Sequence, residues 1–291
     1  MHAFEYVAPK TVKEAVRLLE EKGDQARPIA GGTDIIVQMR GGRRRPIRVV
    51  DVKQIPDLNV LSMSPRAGLR LGAAVPCYRI YQDKAVAEAY PGLIDAASMI
   101  GSVQIQGRAS VGGNLCNAAP SGDCIPALIV LNATAFIAGP NGNREIPVEE
   151  FCTGPGRNAL QLGEMLVSLR LPSPRRKTGA HYLRFIPRNE MDIAVAGVGA
   201  SVTLDGRGEH FTTARVALAS VAPTPLLVTG VEELVAGQPL TEEVFERVAE
   251  LARRQCRPIT DMRGTIDQRR HLVGVLTKRA LRKAIERARE A

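Results

Sequence analysis

Two short runs could do chemistry: Ala30-Gly31-Gly32-Thr33-Asp34 and Ser110-Val111-Gly112-Gly113-Asn114. A glycine pair has no Cβ, so neighbouring backbone N–H groups can converge on an anion. Where such a pair closes a strand and opens a helix, the positive end of the helix dipole adds to the attraction. Thr33, Ser110 and Asn114 bring further polar side chains. Two loops of this kind could grip the two phosphates of a dinucleotide from opposite sides. Neither follows the G-x-G-x-x-G pattern, and neither runs on into the G-K-[ST] of a P-loop. Taken singly and as residues alone, each is more readily explained as an ordinary tight turn.

The elements that must carry these loops can be read from apolar spacing. Residues 4–7 form a short extended run. Thr11 and Glu14 make a capping box for a helix whose apolar side is Ala15, Val16, Leu18 and Leu19, ended by Gly23. Residues 27–30 are extended and lead into the first loop, 35–39 continue as a short helix, and 48–52 read as a strand. In a second unit, 69–73 alternate as a strand, and Pro76 opens a helical stretch to Met99. Residues 125–138 are helical and then extended, and 164–171 alternate as a strand. The Pro, Gly and charge cluster at 172–179 predicts a domain boundary. Beyond it, 193–204 and 215–221 read as buried strands, and 242–254 and 268–288 as helices. Strands followed by helices predict an α+β domain.

Composition narrows the class. The chain has 291 residues, 45% hydrophobic, 24% charged and 4% aromatic with no Trp, and a net charge of +9. That length predicts two domains or one large one. Residues 251–291 hold twelve Lys or Arg against four Asp or Glu, so the charge is almost wholly in the tail. No apolar run is long enough for a membrane span, and the first residues lack the basic-then-apolar order of an export signal. The five cysteines, Cys77, Cys116, Cys124, Cys152 and Cys256, are scattered without a C-x-x-C pair, and His2, His181, His210 and His271 are dispersed. No disulfide framework and no metal site is expected, and a reducing cytoplasm fits.

Both loops, in their context, resemble the FAD-binding medium subunits of the molybdenum hydroxylases, the xanthine dehydrogenase and carbon monoxide dehydrogenase family. The resemblance continues in Asn117-Ala118-Ala119-Pro120-Ser121-Gly122-Asp123, in Leu166-Val167-Ser168-Leu169, in the segment from Arg184 to Arg188 with Asp192-Ile193-Ala194, and in the run from Arg263 to Leu276. It thus spans nearly the whole chain. It implies an α+β chain: a two-part FAD-binding α/β domain of the PCMH-type flavin fold (1–57 and 58–176), then a smaller C-terminal domain of sheet plus helices (177–291).

The resemblance also implies cofactor contacts. The first loop with its flanks, Ile29 to Ile35 (Ala30, Gly31, Gly32, Thr33 and Asp34 between them), and Ser110, Gly112, Gly113 and Asn114 would hold the FAD pyrophosphate. Asp123 would bond ribityl or adenosine hydroxyls, with N-capping of the next helix as its alternative role. Val167 lies on the adenine-side strand and Ile100 near the ring. Arg184 would place positive charge beside the flavin, and Tyr182 would shield a ring face, or they form an interdomain salt bridge and boundary packing. Only eight residues separate Asn114 from Asp123, which excludes the iron–sulfur insert of some relatives, so Cys116 and Cys124 are read as core.

The implied function is electron relay, with no catalytic residues of the chain's own. FAD would receive electrons from a small [2Fe-2S] subunit, fed by a large molybdopterin subunit in a dimer of heterotrimers, and pass them to NAD⁺, a quinone or oxygen. Two alternatives stand beside it. One is a self-contained flavoenzyme acting on a small substrate. The other is a nucleic-acid module built on the basic tail, which lacks the aromatics that base stacking needs. The final helix is expected to dock its apolar face, leaving its arginines and lysines in water.

Overall fold

A computed structural model of the chain describes residues 2–291. The first layer is a small parallel sheet. Strands β1 (Glu5–Val7), β2 (Ala26–Ile29) and β3 (Arg48–Asp51) stand in the order β1-β3-β2, joined through helices α1 (Val12–Glu20) and α2 (Ile35–Arg40). Thr11 caps α1 by accepting from the Glu14 amide, while the Glu14 carboxylate turns back to the Lys10 amide. Ala15, Val16, Leu18 and Leu19 are buried, as their spacing predicts. The first glycine loop is the connection from β2 to α2.

The second unit is built on an antiparallel sheet of β4 (Leu61–Ser64), β5 (Gly68–Gly72), β6 (Thr134–Gly139), β7 (Gly142–Pro147) and β10 (Met165–Leu171), ordered β4-β5-β10-β6-β7. A hairpin, β8 (Cys152–Gly154) and β9 (Arg157–Asn158), lies between β7 and β10. The helical stretch expected from Pro76 to Met99 is broken into α3 (Cys77–Gln82), α4 (Lys84–Ala89) and α5 (Pro91–Ser98). The breaks have local causes. Asp83 is extended and caps α4 through the Val86 amide. Tyr90 precedes proline, which disfavours helical backbone there, and adopts φ −131° and ψ 56°. Helices α6 (Val103–Gln106), α7 (Val111–Asn117) and α8 (Cys124–Val130) follow, with the second glycine loop opening α7. Every residue of α8 is buried.

The C-terminal sheet runs β11 (Thr178–Phe185), β12 (Ala196–Leu204), β13 (Phe211–Ala219) and β14 (Leu226–Leu227), all antiparallel neighbours. Helix α11 (Ile266–Glu290) lies across β11 and β12, with α10 (Glu242–Gln255) beside it and α9 (Val231–Val235) on β13. From the other side, α5 and α8 pack against the same sheet. Burial on both faces explains why β12 reads Ala-Gly-Val-Gly-Ala-Ser-Val rather than alternating. The contacts with α5 and α8 fasten the C-terminal sheet to the second unit.

The tail differs from expectation in one respect. Val273, Leu276, Ala280, Leu281 and Ile285 dock as a buried stripe, but the basic residues are not simply solvated. Arg269 is 3% exposed. Arg282 pairs with Glu242, Lys278 with Glu246, and Arg287 with Asp95 of α5. The long side chains find acids on α10 and α5 because α11 runs between those two elements. Among the described residues, no helix is long and apolar enough to cross a membrane.

Candidate functional site

The two glycine loops face one cleft of about 690 Å³ between the parallel sheet and the antiparallel sheet, within the size range of small-molecule sites. Strand β2 delivers the first loop and α6 leads into the second. They meet closely, and the sequence permits it. A Cβ on Gly31 would stand 2.0 Å from the Arg108 carbonyl oxygen, and one on Gly112 would stand 2.5 Å from that of Ala73. Gly32 has φ +79°, a conformation that favours glycine.

The backbone donors of this junction include the first amides of α2 and α7, which helix geometry leaves without an internal partner. The amides of Gly31, Gly32, Thr33, Asp34 and Ile35 donate to no acceptor among the described residues, and neither do those of Val111 and Gly112. The Ser110 hydroxyl caps α7 by accepting from the Gly113 amide at 3.0 Å. The Asn114 side-chain Oδ1 accepts from the Cys124 amide at 3.2 Å, tying the loop to α8. Gln38 on α2 donates to Asn117 on α7 at 2.9 Å, fastening the helices that the two loops open. Partial desolvation at the cleft wall raises the Asp34 carboxyl above its ordinary value, although the residue as a whole is exposed. Such a ring of unpaired amides suits the oxygens of a pyrophosphate.

The structure brings Ile29, Ala30, Gly31, Gly32, Thr33, Asp34, Ile35, Ile100, Ser110, Gly112, Gly113 and Asn114 to the wall of this cleft. It places four other candidates off that wall. Val167 packs in the core with Ala74 and Ala138, one residue past the cleft-lining Leu166. Asp123, Tyr182 and Arg184 meet each other. Asp123 Oδ1 accepts from the Tyr182 hydroxyl at 2.8 Å and Oδ2 from Arg184 Nη1 at 2.6 Å. Asp123 makes no side-chain cap to α8. Burial pushes its carboxyl up to about 6, against the pull of Arg184 and Tyr182 in the other direction. The Tyr182 phenol is raised well above its usual value by burial and by that neighbouring carboxylate.

The reading of cysteines as core holds for Cys124 and in part for Cys116, which packs against the core on one side and lines the cleft on the other, two residues past Asn114 on α7. Sequence reasoning missed several wall residues: Arg27, Gln38, Arg44, Arg157 and Asn158. Arg27 and Gln38 flank the first loop in sequence and could have been found by extending it. Arg44, Arg157 and Asn158 reach the cleft only through the tertiary fold.

The comparisons with known proteins match this architecture. Residues 2–174 fit the family described as the FAD binding domain in molybdopterin dehydrogenase, and 181–284 fit the CO dehydrogenase flavoprotein C-terminal domain. The chain therefore belongs to the family of FAD-binding medium subunits of the molybdenum hydroxylases, and is an FAD-binding oxidoreductase subunit. It is 30% identical over 284 residues to the xanthine dehydrogenase FAD-binding subunit of Escherichia coli O157:H7, covering 97% of this chain and 96% of that one. It is 31% identical over 281 residues to the carbon monoxide dehydrogenase medium chain of Hydrogenophaga pseudoflava, with the same coverage. A solved carbon monoxide dehydrogenase from Hydrogenophaga pseudoflava, lacking the Mo-pyranopterin moiety, superposes with a TM-score of 0.94 over 98% of both chains at 31% identity.

Proposed function

We propose that this chain is the flavin relay of a heteromeric molybdenum hydroxylase. It would take electrons from a [2Fe-2S] partner subunit, itself supplied by a large molybdopterin subunit, and deliver them to NAD⁺, a quinone or oxygen. The observation that carries the reading is the cleft whose opposed glycine loops leave their amides unpaired. Bound FAD supplies the redox chemistry, exchanging electrons one or two at a time.

The chain's own residues bind and orient. Ile29 to Ile35 on one wall and Ser110, Gly112, Gly113 and Asn114 on the other are assigned to the pyrophosphate, with Ile100 toward the ring. The Gly31–Arg108 approach sets the separation of the two walls, and the Gly112–Ala73 approach seats the second loop on the end of β5. Asp123, Tyr182 and Arg184 are assigned the positioning of the C-terminal sheet against α8, and Val167 the backing of the Leu166 wall. Names such as "FAD-binding subunit" and "medium chain" among the relatives support a complex with a large and a small partner, for which a dimer of heterotrimers is the proposed assembly. A cytoplasmic site fits that assembly.

The test is spectroscopic. The purified complex should carry FAD in a one-to-one ratio to this chain, and substrate should bleach the flavin only when all subunits are present. Bleaching of the isolated chain by a small substrate would instead establish a self-contained flavoenzyme. A complete complex without stoichiometric FAD would sink both.

A further inference from the structure

The outer face of α2 and the loop that follows it carry a charge pattern that the cofactor cleft does not use. Residues 35–50 hold five arginines, Arg40, Arg43, Arg44, Arg45 and Arg48, with no acid and no lysine. Arg48 turns inward and holds Glu5 and Glu21, each at 2.8 Å. The other four meet no carboxylate among the described residues, and of these only the Arg44 side chain finds an acceptor, the Gly156 carbonyl at 3.4 Å. The loop folds back onto the end of α2, because the amides of Gly41 and Arg43 donate to the carbonyls of Val37 and Gln38 at 2.9 Å. The helix dipole favours a cation in the last turn, which is Arg40. It does not account for the three that follow.

Geometry ties this surface to the cofactor cleft. Ile35 and Gln38 line the cleft and Met39 is buried, so the helix turns Ile36, Val37 and Arg40 outward. Val37 is 65% exposed and Ile36 37% exposed. Opposite faces of one short helix are thus the cleft wall and an open surface, a helix diameter of about 10 Å apart. An apolar centre edged by arginines rather than lysines has the composition of a protein interface. Residues 35–47 include no aromatic side chain on which a base could stack, and six helical residues give too small an apolar face to anchor in lipid.

We propose that the outer face of α2 and the loop from Arg40 to Arg45 dock an acidic face of the electron-donating [2Fe-2S] subunit. The inference rests on the relay reading and adds to it the surface used and the charge of the partner. Opposite charges speed and orient the encounter. Packing on Ile36 and Val37 then places the partner's surface one helix away from the cleft.

The test uses the full FAD-loaded chain and the purified [2Fe-2S] subunit. Calorimetry measures their affinity, and stopped flow measures flavin reduction by the pre-reduced partner. Arg40→Glu, Arg43→Glu and Arg45→Glu together should weaken binding about 10- to 100-fold, and slow flavin reduction at limiting partner in proportion. FAD content and Tm should not change, since none of the three lines the cleft. Wild-type affinity should fall as salt rises, and the triple variant should lose that dependence. Ile36→Ser with Val37→Ser should weaken binding about 5- to 30-fold at every salt concentration. Arg175→Glu with Arg176→Glu, exposed on the segment before β11, should bind as wild type does. A triple variant that binds and reacts like wild type, or an Arg175/Arg176 control that weakens binding equally, overturns the docking surface while the relay stands. So does wild-type binding to phosphatidylserine vesicles or duplex DNA that the triple variant loses while it still holds the partner. A wild-type chain whose flavin the reduced [2Fe-2S] subunit leaves oxidised overturns the relay itself.

Discussion

The Tyr182 hydroxyl donates a 2.8 Å hydrogen bond to Asp123, joining the first strand of the C-terminal sheet to the segment that follows the second glycine loop. The contact is possible because Gly197, two residues before Tyr182's cross-strand partner Gly199 on β12, leaves room: a Cβ there would stand 2.6 Å from the hydroxyl oxygen. Arg184 closes the other side of the carboxylate at 2.6 Å. The triad is buried, so its charge state is tied to folding.

A pH dependence follows. The folded Asp123 carboxyl titrates at about 6, against an ordinary 3.8. Between those values the folded state holds a proton that the unfolded state has lost. Stability from this group therefore rises as pH falls from about 6 to about 4 and is absent above it, with an amplitude of about 2–3 kcal/mol. Urea unfolding at pH 7, 6, 5 and 4 should show wild type gaining on Asp123→Asn across that window. Parallel profiles would mean that the Arg184 pair, rather than burial, governs the carboxyl.

The two glycine loops separate steric need from polar need. Gly31→Ala and Gly112→Ala force a methyl group into backbone, which cannot yield. We expect each to cost about 1–3 kcal/mol or more and to purify with less flavin. At Gly113 the added Cβ meets the Ser110 hydroxyl at 3.0 Å, a side chain that can rotate away at the cost of a helix cap, about 1 kcal/mol. Gly113→Ala should therefore fold with a small loss of Tm. Equal losses in all three would refute the close-approach account.

Much of this organisation was legible in the residues, for reasons that differ by element. Helix α1 announces itself through Thr11, Glu14 and a four-residue apolar side, and both glycine loops come from local composition. Strand β7 was missed because its residues Gly142 to Pro147 are polar and mostly exposed, and it exists by pairing with β6. Strand β11 begins inside the segment read as a boundary, since Thr178 and Gly179 look like a turn until α11 covers them. The Asp123 triad was half legible: a salt bridge between domains is among the readings of Arg184, but its partner Asp123 lies about sixty residues away. Only the fold brings them together.

A second link between the units involves Asp95 on α5. Arg287 near the end of α11 grips it with both terminal nitrogens, at 2.6 and 2.9 Å, and also donates to the Ala180 carbonyl. His181 Nδ1 lies 2.5 Å from the same carboxylate. Burial pushes Asp95 up, but the bonds from His181 and Arg287 prevail and hold it below its usual value. Its stabilisation is present above the unfolded carboxyl's pKa and is lost as pH falls through the lowered folded value. Arg287→Met should destabilise the chain by about 1.5–3 kcal/mol at pH 7, and the difference from wild type should shrink in strong acid. A constant difference down to pH 2 would argue that packing alone is lost.

The basic tail offers the sharpest contrast between two residues of one type. Arg269 is buried and spreads its fork over three acceptors: the Val195 carbonyl at 2.7 Å, the Ser220 carbonyl at 2.9 Å and Asp261 at 2.7 Å. A lysine ammonium cannot span that arrangement, because its donors sit on a single atom. Arg282 bonds Glu242 at the surface, where side-chain exposure is 46% and 65%, and solvent screens the pair. Arg269→Lys should thus cost about 2–4 kcal/mol through acceptors left buried without donors, whereas Arg282→Lys should cost under about 0.5 kcal/mol. Chemical denaturation of the two variants decides the matter. If they lose equal stability, the tail acts through its total charge, and the buried fork of Arg269 has no special part in holding α11 to the loop before β12.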